Sequence, residues 1–253
     1  MGALAVIPGL FGAVVGSFLN VVIHRLPRGE SIVKPRSRCG SCGEQIAALD
    51  NIPLFSWALL RGRCRNCGER ISVRYPVVEL LTAVLFAAVV VVRGVHLELL
   101  IELPFAAMLI AVAVIDFDHK IVPNKVLLPA AVYGLVASAA IRPEKLPELL
   151  IAGAGAFTFL LVAALIHPKG MGMGDVKLLG VMGLYLGRYV IPAGAVGFLV
   201  GTVAGIAILA RYGMQARKMK VPFGPFLALG GLVALLAGPD LVDLYRDAFL
   251  GQG

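Results

Sequence analysis

Long apolar segments alternate with short polar ones along most of this chain. Segments of about the length that crosses a 30 Å hydrocarbon core, roughly 20 residues, lie near 3–23, 77–92, 97–115, 125–141, 147–166, 176–188, 190–210 and 223–238. Several contain Gly, Ala or an internal Pro, which permits close contacts between helices. The pattern predicts an all-α polytopic membrane protein with about eight transmembrane helices, seven and nine being the alternatives.

One long polar segment interrupts this pattern, between residues 27 and 75. The apolar run before it ends in His24 and Arg25 without a small-residue cleavage motif, so we expect a retained helix rather than a signal peptide. The sequence therefore predicts three parts: a first transmembrane helix at 1–26, a small loop module at 27–75 and a transmembrane core at 76–253.

Composition agrees with a membrane protein and explains the positive charge. Hydrophobic residues make up 59% of the chain and charged residues 15%, with mean hydropathy +0.89, which is more apolar than one soluble core requires. With eight spans, the 23 Lys and Arg residues fall mainly in loops on one side. Cytoplasmic loops are enriched in these residues, which predicts a cytoplasmic loop module and both termini outside.

This topology accounts for the net charge of +8 without a nucleic-acid partner. Attraction to anionic membrane lipids is the expected secondary effect of the basic loops. The arginines of the loop module form a basic face that is either solvated or engaged by lipid or an acidic partner; they include Arg36, Arg38, Arg61, Arg63 and Arg65.

All four cysteines lie in the loop module, in two Cys-x-x-Cys pairs that are each followed by glycine: Cys39, Cys42, Cys64 and Cys67. Two residues between thiolates let one tight turn direct both sulfurs at a single ion, and two such turns complete a tetrahedral site. Disulfides are the alternative, but a cytoplasmic location disfavours them. The spacing predicts a structural zinc ion bound by four cysteines.

Two aspartates are candidates for catalysis at the cytoplasmic edge of the membrane. Asp116 ends a long apolar run, and Asp175 lies in a glycine-rich segment with Gly172 and Gly174. Ionisable groups near the hydrocarbon are costly and usually face a bundle interior or a water-filled cavity. Two carboxylates that share a proton can activate water for peptide hydrolysis, and the glycines would allow an extended substrate backbone to approach.

The same residues admit a simpler interpretation. Asp116 and Asp175 would then be interfacial residues that cap helices or pair with Lys120 and Lys177. Asp118 competes with Asp116 for the catalytic role, and His119 is a candidate base, although both are expected to be solvated loop residues. A serine or cysteine nucleophile is disfavoured, because the histidines are few and the cysteines are expected to bind metal. No Gly-x-Ser-x-Gly or His-Glu-x-x-His pattern appears.

The chain closely resembles the type IV prepilin peptidase family, whose members are Gly-x-Gly-Asp intramembrane aspartyl proteases. The resemblance covers nearly the whole chain and depends on six motifs in order. They are residues 12–27 (GAVVGSFLNVVIHRLP), the two Cys-x-x-Cys pairs, 74–79 (RYPVVE), 115–116 (ID) with 121–124 (IVPN), 172–177 (GMGDVK) and 222–226 (PFGPF). The resemblance implies that Asp116 and Asp175 are the catalytic pair.

It also implies the substrates. Members of the family cleave a short basic leader, after a glycine, from prepilins and type II secretion pseudopilins at the cytoplasmic face of the bacterial inner membrane. Many members with the cysteine loop also methylate the new N-terminal amine with S-adenosylmethionine, so methyl transfer is expected here. The residues of the methyl-donor site are unknown, because no nucleotide-binding fingerprint is present.

Three other functions remain as alternatives. One is a peptidase without methyl transfer. Another is a transporter in which the two aspartates bind a proton or cation, and it predicts inverted repeats that the sequence does not display. The third is an assembly factor that only binds pilin-like helices. The sequence does not determine the oligomeric state.

Overall fold

The computed structural model describes residues 2–166, 171–213, 215 and 221–249. These residues form helices and loops, and the chain divides into two compact units, Met1–Val95 and His96–Gly253. The helices are α1 (Gly2–Arg25), α2 (Phe55–Leu59), α3 (Arg74–Arg93), α4 (Leu99–His119), α5 (Asn124–Ile141), α6 (Leu146–Ile166), α7 (Met173–Leu186), α8 (Val190–Tyr212) and α9 (Gly224–Phe249).

In the first unit, α1 and α3 pack closely along their length. Glycines on α1 permit this approach: a Cβ on Gly12 would lie 2.7 Å from the carbonyl oxygen of Thr82, and a Cβ on Gly16 would lie 2.7 Å from the Cα of Glu79. Small residues let the backbones of membrane helices come into contact, where dispersion forces stabilise the pair. The unit therefore contains both apolar helices that flank the loop module.

One polar contact joins α1 to α3, and a second attaches the loop module to α3. The amide of Asn20 on α1 donates to the carbonyl of Tyr75 at 3.0 Å, and the backbone N–H of Leu54 donates to Glu79 Oε2 at 2.8 Å. Leu54 has φ +62° and ψ −51°, a positive-φ conformation that disfavours residues other than glycine. The hydrogen bond from Leu54 to Glu79 holds this turn in place, so the middle of the loop is fixed to the helix.

In the second unit, α4 is the central helix. Its side chains Phe105, Leu109 and Ile110 are almost completely buried. α4 packs against α9, α6 packs against α7, and α8 packs against α9. Gly231 on α9 lies against both Leu109 of α4 and Met182 of α7, where a Cβ would approach each to 2.9 Å, so α4, α7 and α9 meet in one core.

The number of membrane crossings depends on whether α7 spans the membrane. Seven helical segments among the described residues are long and apolar enough to span a membrane, but one of them, Met173–Tyr212, has 40 residues and contains both α7 and α8. α7 has 14 residues and is about 21 Å long, shorter than a hydrocarbon core of about 30 Å. The all-α polytopic fold class is confirmed. The count of eight and the placement of both termini outside stay predictions.

An ion cluster around the buried Arg142 joins three helices of the second unit at the end of α5. Arg142 Nη2 donates to the carbonyl of Tyr185 at 2.9 Å, and Arg142 Nη1 lies 3.4 Å from Glu98 Oε2. Lys145 Nζ reaches the other oxygen of Glu98 at 3.0 Å. Arg142 is 8% exposed, so it is a buried cation whose partners come from α7 and from the residue that precedes α4.

We expect Arg142→Ala to destabilise the second unit by about 1–3 kcal/mol, because it leaves the Tyr185 carbonyl without its donor. Lys145→Ala is the matched control, since it removes the more exposed cation from the same carboxylate and should cost about 0–1 kcal/mol. Thermal unfolding in one detergent compares the two midpoints. Equal midpoints would contradict a stabilising role of the buried Arg142 guanidinium.

Candidate active site and metal centre

Asp116 is the fourth-last residue of α4 and is 5% exposed. Its Oδ2 accepts a hydrogen bond from the backbone N–H of Gly224 at 2.9 Å. Gly224 is the first residue of α9, and N–H groups in the first turn of a helix have no partner within the helix. The start of α9 therefore supplies a donor to the carboxylate and stabilises negative charge on it.

Asp175 lies in the first turn of α7 and is 8% exposed. Its backbone N–H donates to the carbonyl of Gly172 at 3.1 Å, so the glycine segment turns directly into the helix. A carboxylate in the first turn of a helix is favoured by the helix dipole. Asp175 thus lies in the N-terminal turn of its own helix, α7. Asp116, near the C-terminal end of α4, lies against the N-terminus of a different helix, α9.

The structure brings the two carboxylates into one site. Asp116 is the charged group that acts on Asp175 electrostatically, and α4 contacts α7 in the second unit. Both side chains are buried, whereas Asp118 and His119 are exposed. A pair of neighbouring buried carboxylates cannot hold two negative charges at low cost, and one proton is expected to be shared between them.

The neighbouring lysines have other contacts. Lys177 Nζ donates to Asn124 Oδ1 at 3.1 Å, which ties the first turn of α7 to the start of α5. Lys120 has φ +56° and its N–H donates to the carbonyl of Asp116, so it ends α4. Among the described residues, neither Asp116 nor Asp175 takes part in an ion pair with a lysine. The interfacial ion-pair interpretation therefore has no support in the geometry.

The two glycines that the sequence singled out have different surroundings. Gly172 is exposed, and a Cβ there would lie 3.4 Å from Asp175 Oδ2. Gly174 packs against Val122, where a Cβ would approach the Val122 Cβ to 2.8 Å. Gly174 is thus required by close packing beside the site, while Gly172 borders the carboxylate itself. Their role in substrate approach stays a prediction, and Gly170 lies outside the described residues.

Gly224 is the functional candidate to which the sequence assigned no role. A Cβ at this position would lie 2.8 Å from Asp116 Oδ2, a distance too short for a real side chain. The signal was present in the sequence as residues 222–226 (PFGPF), a motif that carried the resemblance. The motif alone gave no reason to place its backbone against Asp116.

The four cysteines lie together in the first unit, as their spacing predicted. Their Sγ atoms are all within 4.8 Å of one another, and Cys39 Sγ lies 3.7 Å from Cys67 Sγ. A tetrahedral zinc site with metal–sulfur bonds of about 2.3 Å places its sulfurs about 3.8 Å apart. All four are free thiols, so the geometry fits one tetrahedral ion.

The two cysteine pairs form two separate turns with the same hydrogen-bond pattern. Cys39 and Cys64 each donate their N–H to the carbonyl five residues later and accept the N–H of a glycine four residues later. Those glycines, Gly43 and Gly68, have φ of +71° and +72°, which confirms that the turn requires glycine. Isolated β-bridges close the two turns, between Arg38 and Gln45 and between Arg63 and Arg70.

Backbone hydrogen bonds in the first turn favour the thiolate form of Cys39, whereas burial and hydrogen bonds with the other three cysteines raise the pKa of Cys67. Backbone hydrogen bonds from Cys42 and Ser41 lower the pKa of Cys39 to about 6, and the thiolate is the form that binds zinc.

Within the second turn, Arg65 makes a bidentate ion pair with Asp50, the shortest contact being 2.7 Å. Its guanidinium holds the pKa of that carboxyl below the usual range. The pair fixes the second turn to the middle of the loop.

A multi-pass helical protein with two buried carboxylates that interact electrostatically has the architecture expected of an intramembrane aspartic peptidase. The family model described as Bacterial Peptidase A24 N-terminal domain matches residues 10–93, and the Type IV leader peptidase family matches residues 103–210. The chain belongs to the type IV leader peptidase family. It is an integral protein of the inner membrane.

Several relatives named prepilin leader peptidase/N-methyltransferase are similar to the chain over nearly its full length. The relative from Aeromonas hydrophila is 37% identical, covering 95% of this chain and 93% of its own. The relative from Bacillus subtilis is 36% identical, covering 96% and 98%, and that from Pseudomonas aeruginosa is 33% identical, covering 93% and 91%. No solved structure matches the chain.

Proposed function

We propose that this protein cleaves the leader from prepilins and pseudopilins, after a glycine, and methylates the N-terminal amine that cleavage exposes. The observation that carries the peptidase step is the buried pair of Asp116 and Asp175, with the N–H of Gly224 on Asp116. Family membership supports the same activity and does not favour a transporter. The four-cysteine loop supports the bifunctional enzyme over a peptidase alone.

In the peptidase step, the two carboxylates of Asp116 and Asp175 hold one proton between them. The ionised carboxylate takes a proton from water, and the protonated one donates a hydrogen bond to the carbonyl oxygen of the scissile peptide bond. The hydrogen bond from Gly224 fixes the orientation of the Asp116 carboxylate. Exposed Gly172 beside Asp175 leaves room for an extended peptide backbone.

The proposed methyl donor is S-adenosylmethionine. It would transfer the methyl group of its sulfonium to the free amine. An open cleft in the first unit, about 530 Å³ in volume, has the size of a small-molecule site. Its described lining holds Arg25 and Arg36 and no acidic residue. The carboxylate of the donor would match these guanidinium groups, but its sulfonium and ammonium would find no counter-charge in the described lining, so no donor-binding residue is assigned.

The proposed metal is one zinc ion held by Cys39, Cys42, Cys64 and Cys67. Four thiolates fill a tetrahedral site and leave no open position for substrate, so the ion holds the shape of the loop module. A loop with so few buried side chains depends on such a ligand for its fold. The domain assignment at 27–75 and the cytoplasmic side of the loop belong to the same proposal.

We expect Cys64→Ser to lower the zinc content from one ion per chain to nearly none, because metal affinity of structural sites depends on all four ligands. The loop should then become sensitive to trypsin, since apparent zinc stabilisation in small domains is about 10–16 kcal/mol. Ser41→Ala is the matched control, as it lies between two ligands without being one. Elemental analysis and limited proteolysis test this, and a Cys64→Ser protein with full zinc content would contradict it.

The proposed function is tested on the purified full chain in lipid nanodiscs with a peptide that carries a basic leader, a glycine and a hydrophobic segment. Mass spectrometry should detect loss of the leader and, with S-adenosylmethionine present, the mass of one added methyl group on the product. Cleavage without methyl transfer would leave a peptidase alone. Binding without cleavage would favour the assembly factor.

A further inference from the structure

An open cleft of about 530 Å³ lies in the first unit, between the last turns of α1 and the segment 32–51 of the loop module. Neither the peptidase step nor the zinc ion uses it. Its walls include Phe18, Val21 and Arg25 from α1, and Ile32, Val33 and Arg36 from the loop. The cleft thus combines apolar walls with two guanidinium groups.

The positive charge of the cleft lining favours an anionic ligand. Arg25 and Arg36 line it, and the described lining includes no aspartate or glutamate. Arg25 Nη1 donates to the carbonyl of Ser31 at 3.0 Å, which holds this guanidinium at the loop side of the cleft. Guanidinium groups bind phosphate through paired, charge-assisted hydrogen bonds. The cleft therefore favours an anion, and a phosphate group fits its two cations.

The apolar wall of the cleft continues down the membrane helix. Ile7, Phe11, Val14 and Phe18 on α1 are all more than half exposed, and their spacing of three or four residues places them on one helix face. Val21 and Arg25 extend the same spacing into the cleft. α1 is one of the candidate membrane spans, so this apolar stripe is available to an acyl chain and ends at a cation.

We propose that the cleft binds one anionic phospholipid, with the phosphate between Arg25 and Arg36 and an acyl chain along the stripe from Phe18 towards Ile7. Basic residues beside a membrane helix attract anionic lipids through the surface potential, and the cleft adds a shaped site to this general attraction. The bound lipid fastens the loop module to the end of α1. This inference is independent of the proposed catalytic activities.

The test is native mass spectrometry of the purified full chain in detergent, titrated with phosphatidylglycerol. Arg36→Gln removes one cation and should weaken binding about fivefold, the effect of about 1 kcal/mol per basic residue. Ala48→Trp, a residue of the cleft wall, fills the cleft without changing its charge and should abolish the bound lipid. Arg70→Gln and Ala58→Trp are the matched controls on exposed positions of the same loop outside the cleft.

Unchanged zinc content in every variant confirms that the loop module is folded. Equal lipid binding by Ala48→Trp and wild type would overturn the proposal, as would equal binding of phosphatidylcholine and phosphatidylglycerol. Displacement of the lipid by inorganic phosphate at the same concentration would identify a plain anion site and overturn the role of the acyl chain. Loss of S-adenosylmethionine binding in the cleft variants with lipid binding intact would assign the cleft to the methyl donor instead.

Discussion

Asp116→Asn and Asp175→Asn should each lower the kcat/KM of leader cleavage by about a thousandfold or more. Acid–base catalysis by a positioned side chain contributes roughly 10²–10⁴, and an amide can neither take a proton from water nor hold the shared one. The two residues act as one unit, so the double variant should be no slower than the slower single variant. The amide also keeps an oxygen that accepts the Gly224 N–H, which preserves the fold at Asp116.

The matched control for this pair is Asp118→Asn, because Asp118 is exposed and lies two residues further along the chain. It should cleave within about twofold of wild type, as expected for a surface substitution away from the site. Thermal unfolding of all variants in one detergent separates loss of chemistry from loss of fold. Rapid cleavage by either Asp116→Asn or Asp175→Asn would refute the two-carboxylate mechanism and return Asp118 and His119 to consideration.

The apolar pattern predicted the helices well because lipid permits few alternatives to a helix. Backbone groups in hydrocarbon must find partners within their own segment, so each long apolar run became a helix. The pattern failed to determine whether α7 crosses the membrane. Its 14 residues are as apolar as those of a span and are largely buried against α5, α6 and α9. Burial in protein requires the same apolar composition as burial in lipid, so composition cannot separate the two.

The cysteine cluster was predictable because its signal is local. Each pair and its glycine define one turn, and the two turns meet as expected, with all four sulfurs within 4.8 Å of one another. The contact of Leu54 with Glu79 was not predictable in the same way. It joins the backbone N–H of a residue with positive φ to a carboxylate on a membrane helix, and nothing in the identity of Leu54 signals either feature.

The site shows the same division between local and distant signals. Asp116 and Asp175 were candidates because a carboxylate at the end of an apolar run is costly. The donor to Asp116 could not be found this way, because it is a backbone N–H that lies 108 positions further along the chain. Glycine has no side chain whose chemistry would indicate its partner. Only the packing of α9 against α4 reveals why this position excludes a Cβ.

Gly224→Ala should therefore lower kcat/KM for leader cleavage by about a hundredfold, the effect expected when a catalytic group is displaced by about 1 Å. The new methyl group would lie 2.8 Å from Asp116 Oδ2, so either the carboxylate rotates or the start of α9 moves away. Both changes lengthen the hydrogen bond from the residue 224 N–H, and both alter the position of Asp116 relative to Asp175.

Gly205→Ala is the matched control, because Gly205 lies in α8 with no atom within 4 Å of a new Cβ. That change should leave cleavage unaltered and stabilise the helix by about 0.5–1 kcal/mol. Steady-state kinetics and thermal unfolding of both variants decide the matter. If Gly224→Ala cleaves as fast as Gly205→Ala, the close approach of α9 does not position Asp116; if it is slow but unfolds near the wild-type midpoint, the loss lies in the geometry of the carboxylate pair.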